Sequence, residues 1–182
     1  MKGHTRLITA TAIGIALCTV VSLILRVPVF GRFYLCLGYL IMAIYSYYLG
    51  VLSGTLVGTL GIFFYCMITG SIGGMIGWAL GNVVIGVCVG LVSRATRGLQ
   101  HEIVRQLLLI GTGIISTAVG MLLVKSAYES LLSGLPFTVR VLANTAGFAS
   151  DAFLLSLGFP LARVIKRILP KWFTDPGSIK GN

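Results

Sequence analysis

Residues 35–68 read LCLGYLIMAIYSYYLGVLSGTLVGTLGIFFYCMI, a run of 34 positions without an acid, a base or a proline. A helix crosses the hydrocarbon core of a bilayer with about 20 apolar residues. The run is therefore too long for one ordinary span and short for two. A tight turn near Tyr48–Ser53 resolves this, with short helices over 37–49 and 51–68. Gly50, Gly54 and Gly58 recur at every fourth position, the spacing that lets helix backbones approach closely, and packing alone is enough to explain them.

The same character extends in both directions from this run. Leu7–Leu25 is long enough to span, and with the short basic segment Met1–Arg6 before it predicts a retained helix rather than a cleaved leader. Residues 26–34 form a turn-prone connection, broken by Pro28 and Gly31. Beyond the run, Thr69–Gly74 reads as a flexible loop, and three further spans come after it at 75–93, 104–127 and 138–162. Tyr128–Phe137, with Gly134 and Pro136, connects the last two. The tail 163–182 is basic and is interrupted by Pro170 and Pro176. The predicted architecture is an all-α integral membrane protein, six transmembrane helices in one bundle and one domain over 1–182.

Composition agrees with lipid as the main solvent. Of the 182 residues, 57% are hydrophobic and 10% charged, where soluble domains carry about 25% charged residues. The net charge of +10 is clustered between apolar runs, which suits anionic lipid better than nucleic acid. With both termini in the cytoplasm, ten of the 14 Lys and Arg fall inside: Lys2, Arg6, Arg94, Arg97, Arg105, Arg163, Lys166, Arg167, Lys171 and Lys180. Arg26, Arg32, Lys125 and Arg140 fall outside, so the positive-inside rule is met.

The chemistry the chain lacks narrows its function. His4 and His101 lie in basic connecting segments, so no metal cluster is predicted within the bundle. Cys18, Cys36, Cys66 and Cys88 sit in apolar runs and read as small buried hydrophobes. No phosphate-binding loop and no nucleophile elbow occurs. Glu102, Glu129, Asp151 and Asp175 are too scattered for a carboxylate pair. The chain reads as neither an enzyme nor an ATPase, and it calls for no cofactor.

The polar and aromatic groups gather in the outer half. Arg32, Tyr34 and Tyr39 stand before and at the start of helix two. Trp78 and Asn82 share one face of helix four. Lys125 and Glu129 close helix five, and Arg140 and Asn144 share a face of helix six, with Asp151 about three turns from Arg140. Polar groups at this depth face a cavity or one another. Their convergence predicts a pocket for a small polar molecule, with Arg32, Tyr34, Tyr39, Trp78, Asn82, Lys125, Arg140 and Asn144 as its contacts. Each also has a plainer reading, as an interfacial anchor, a surface ion pair or a tie between helices.

Six helices in about 180 residues, with Ala12-x-x-x-Ala16 on the first, Gly31-Arg-Phe-Tyr-Leu-Cys-Leu-Gly38 before the second, and Gly77-Trp-Ala-Leu-Gly-Asn82, Gly86 and Gly90-Leu91 on the fourth, resemble the S component of an energy-coupling factor (ECF) vitamin importer. The resemblance covers essentially the whole chain. It implies a plasma-membrane subunit that captures a vitamin from outside and docks, through Ala12 and Ala16, on a transmembrane T component carrying two ATPases. It implies no nucleic-acid partner. Within this reading Arg32, Lys125 and Arg140 outnumber Glu129 near the outer surface, which favours an anionic vitamin such as pantothenate. Riboflavin, pyridoxine and a pyrimidine precursor are the alternatives, and an autonomous small secondary transporter is the reading from another class.

Overall fold

A computed structural model of the chain describes residues 2–24, 27–29, 33–166, 168 and 173. Helix α1 spans Lys2–Ile24, α2 Gly38–Leu49, α3 Val51–Thr69, α4 Ile72–Ala95, α5 Glu102–Thr117, α6 Ser126–Ser133 and α7 Phe137–Ile165. A π-helical segment, Ala118–Lys125, joins α5 to α6 in one rod. Among the described residues, five helices are long and apolar enough to cross a bilayer: Thr5–Ile24, Val51–Thr69, Gly73–Gly98, Glu102–Ser133 and Phe137–Ile165.

Helix α2 is the exception among the expected spans. Its 12 residues reach about 18 Å at 1.5 Å per residue, well short of a hydrocarbon core of about 30 Å. Nine of those residues are buried, and α2 packs against α1, α3, α4 and α7. A helix that is apolar all round belongs inside other helices, so α2 is core rather than lipid-facing wall. Gly50, at φ 82°, turns the chain directly into α3. Only a residue without a Cβ takes that left-handed conformation at little cost.

Three connections differ from the sequence reading. Residues 26–34 are not purely loop, because Val27–Val29 (β1) pairs antiparallel with Phe33–Leu35 (β2), Pro28 opposite Tyr34. Proline lacks a donor but is compatible with an edge strand, and a two-stranded ribbon is all edge. The expected flexible loop 69–74 shrinks to Gly70 and Ser71 between α3 and α4. The fifth rod runs on to Ser133, leaving Gly134, Leu135 and Pro136 as the turn into α7.

At the far end of α2 the last carbonyls, which no helix can satisfy internally, are taken up by side chains. Ser93 Oγ donates to the Tyr47 carbonyl at 2.9 Å, and Arg97 Nη2 to the Tyr48 carbonyl at 2.7 Å. Arg105 donates to the Tyr47 hydroxyl at 2.8 Å and lies 4.0 Å from its ring centroid. The Tyr47 hydroxyl donates to the Glu102 carboxylate. The Tyr48 hydroxyl donates to the Ala162 carbonyl at 2.6 Å.

Candidate functional site

The site is assembled where α4 crosses the π-helical segment. A Cβ on Gly81 would lie 2.7 Å from the Gly120 carbonyl oxygen, and one on Gly120 would lie 2.6 Å from that of Gly81. The two backbones are in contact, which two glycines alone permit. The wider π turn then re-aims the residues after it, as such turns commonly do at functional sites. The Ser126 hydroxyl reaches back to the Met121 carbonyl, five residues earlier, at 3.2 Å. Lys125 and Ser126 are thereby set beside Trp78 on α4 and Asn144 on α7.

Tyr39, at the start of α2, is 2% exposed and holds the aromatic side together. Its hydroxyl accepts from Trp78 Nε1 at 2.8 Å and donates to Asn82 Oδ1 at 2.7 Å. Asn82 Nδ2 donates to the Gly58 carbonyl at 2.9 Å, so the third glycine of the α3 series contributes its backbone oxygen. Asn82 is fully buried and has both ends of its amide engaged, the geometry of a tie between α2, α3 and α4. Trp78 is half-buried. Tyr65 meets it edge-on, with 6.1 Å between ring centroids, and the Lys125 ammonium stands 5.1 Å from its ring centroid.

On the polar side, Lys125 pairs with Glu129 at 3.9 Å, and Asn144 Nδ2 donates to Glu129 Oε2 and to the Ser126 hydroxyl, each at 3.0 Å. Asp151, on α7, is 4% exposed. Glu129, Ser126, Tyr65 and Asp151 are members that the sequence did not assign to a site. A signal for Asp151 existed in its being an acid at membrane depth, and for Glu129 in its spacing of four from Lys125.

Not every predicted contact joins this cluster. Arg140 diverges from Asn144 despite their shared helix face: its Nε donates to the Ser133 hydroxyl at 3.2 Å, bracing the turn before α7. Tyr34 lies in β2 by its backbone, and Arg32 lies outside the described residues. Ala12 and Ala16 are exposed on α1 and line, with Ile15, Thr19, Val20, Phe64 and Ile68, a groove of about 520 Å³ on the outer face of α1 and α3. Cys18, Cys36 and Cys66 are buried thiols, and Cys88 is half-buried. Among the described residues no group of His, Cys, Asp and Glu could hold a metal ion.

The Tyr39 hydroxyl bridges Trp78 and Asn82, which makes Tyr39→Phe informative. It leaves a buried N–H and a buried carbonyl without partners, at a cost of about 1–3 kcal/mol. The thermal midpoint in detergent is expected to fall by about 2–4 °C for each kcal/mol. An unchanged midpoint would mean that the hydroxyl does not tie α2 to α4.

No curated protein matches the chain by sequence. In fold it resembles the crystal structure of the S component for biotin from an ECF-type ABC transporter, with TM-score 0.59 and 16% identity, over 94% of this chain and 96% of that one. Residues 2–167 match the model of one family, and the chain belongs to it: the ECF-type riboflavin transporter S components.

Proposed function

We propose that this protein is the riboflavin-capturing subunit of an ECF-type importer in the plasma membrane, with Trp78, Lys125, Ser126, Glu129 and Asn144 forming the ligand contacts. Tyr39 and Asn82 act as the frame that holds Trp78 in place. The observation carrying this reading is the make-up of the cluster: an aromatic wall of Trp78 and Tyr65 beside hydrogen-bonding groups in which Lys125 is paired with Glu129. A flat, uncharged ring system edged with donors and acceptors and carrying a hydroxylated chain fits such a surface.

The charge balance works against a carboxylate ligand. Pantothenate gained its support from three outer cations set against Glu129. With Lys125 paired to Glu129 and Arg140 held by Ser133, no surplus cation faces the cluster among the described residues. The family match points the same way.

The family and the distribution of charge support the rest of the reading. The chain forms one membrane domain of six helices, α2 held within the others, with both termini in the cytoplasm. It docks by Ala12 and Ala16 on a T component that carries two ATPases, which supply the energy.

Flavin fluorescence is the direct test, since a flavin stacked on an aromatic side chain is quenched. Riboflavin is expected to titrate to saturation at one site per chain, and excess pantothenate to leave it bound. Trp78→Ala is expected to weaken binding by about tenfold, the order of an aromatic pair worth about 0.5–1.5 kcal/mol. Saturable binding of pantothenate without any of riboflavin would overturn the assignment of the vitamin.

A further inference from the structure

A second lined space lies at the opposite end of the bundle. Gln106 on the first turns of α5, and Pro160, Arg163, Val164 and Ile168 at the end of α7 and just past it, line a groove of about 640 Å³. Its two chemistries are distinct. Arg163 is exposed, and its side chain makes no hydrogen bond or ion pair among the described residues. The Gln106 side-chain amide nitrogen is sealed from solvent and has no hydrogen-bond partner there. The remainder is apolar: Val164 is 70% and Ile168 83% exposed, on the outer surface of the helices, where hydrocarbon is their natural neighbour.

Charge identifies the occupant. This end also carries Arg94, Arg97, Arg105 and Lys166, and Glu102 is already paired with Arg105 at 3.7 Å. We infer that the groove is a binding site for one anionic phospholipid of the adjoining leaflet. The phosphate sits against the exposed Arg163, and an acyl chain lies along Pro160, Val164 and Ile168. Basic pockets between helices at the cytoplasmic side of a membrane recognise anionic headgroups by this combination of charge and grease. A free anion would leave the apolar wall uncovered. A zwitterionic headgroup would bring a cation to an end that has, among the described residues, no unpaired acid to meet it. The site is remote from Trp78 and Asn144 and does not depend on which vitamin binds there.

The test uses the purified full-length protein after detergent washing, titrated with dioctanoyl phosphatidylglycerol and followed by its thermal midpoint. The midpoint is expected to rise saturably, whereas dioctanoyl phosphatidylcholine and inorganic phosphate leave it in place. Arg163→Gln is expected to raise the half-saturating lipid concentration about tenfold, the order of one charge-assisted hydrogen bond. Lys166→Gln, outside the groove, is expected to change it by no more than about twofold, as a screened exposed charge does. Equal loss in both variants would replace the site by diffuse attraction to a basic surface. Equal protection by phosphatidylcholine, or by phosphate alone, would likewise overturn it. Riboflavin titration of the same samples keeps the two readings apart, because Arg163→Gln is expected to bind riboflavin as the wild type does.

Discussion

Transport by Ala12→Trp and by Ala16→Trp is expected to fall to background while riboflavin binding by the isolated protein is unchanged. Both alanines lie on the exposed face of α1 and floor the groove shared with Phe64 and Ile68 of α3. Helices pack with their axes about 8–10 Å apart, the shorter distances needing small side chains at the contact. An indole in the groove holds a partner helix several ångströms off, and neither position reaches Trp78 or Lys125. Co-purification with the T component and its ATPases is the measurement. Normal assembly of both variants would move the docking surface away from α1.

Gly81→Val and Gly120→Val are expected to be as damaging, by a different route. Each would drive a branched side chain into the other strand of backbone, where even a Cβ comes within 2.6–2.7 Å of a carbonyl oxygen. Overpacking of side chains costs about 1–3 kcal/mol, and here the obstacle is main chain, which cannot rotate away. The expected result is loss of the monodisperse, riboflavin-binding species. Gly111→Ala is the control, since nothing lies within 4 Å of its Cβ position, and alanine is the better helix former by about 0.5–1 kcal/mol. If the valine variants bind riboflavin like Gly111→Ala, α4 does not need to touch the π segment.

The long helices were legible because lipid imposes both length and apolarity on a span, and runs such as Leu7–Leu25 carry that imprint residue by residue. The strand pair at 27–29 and 33–35 was not, since Pro28 reads locally as a breaker and pairing depends on the partner strand. The π segment left no trace either: apart from Lys125 its own residues are all apolar, so a change of helical period there does not alter the pattern of residue types. Trp78 and Lys125 were recognisable as polar or aromatic groups near the outer end. Whether such groups meet depends on helix rotation, which is why Asn144 reaches Glu129 whereas Arg140, one turn earlier, turns to Ser133. Asn82 was recognisable as a polar group on the face of Trp78, but its bond to the Gly58 carbonyl needed α3 in place.

The binding of α2's terminal carbonyls bears on how the chain is made. When residues 38–49 leave the ribosome, Ser93 and Arg97, which take up the carbonyls of Tyr47 and Tyr48, are still 46 and 49 residues away. The carbonyl that receives the Tyr48 hydroxyl lies 114 residues downstream. In hydrocarbon an unmet backbone polar group costs several kcal/mol. A segment this short and this incomplete cannot settle in the bilayer as it emerges. It is expected to wait at the interface or inside the insertion machinery until α4 arrives and to be sealed only when α7 closes over it, which would make the first-made core helix among the last to reach its final depth.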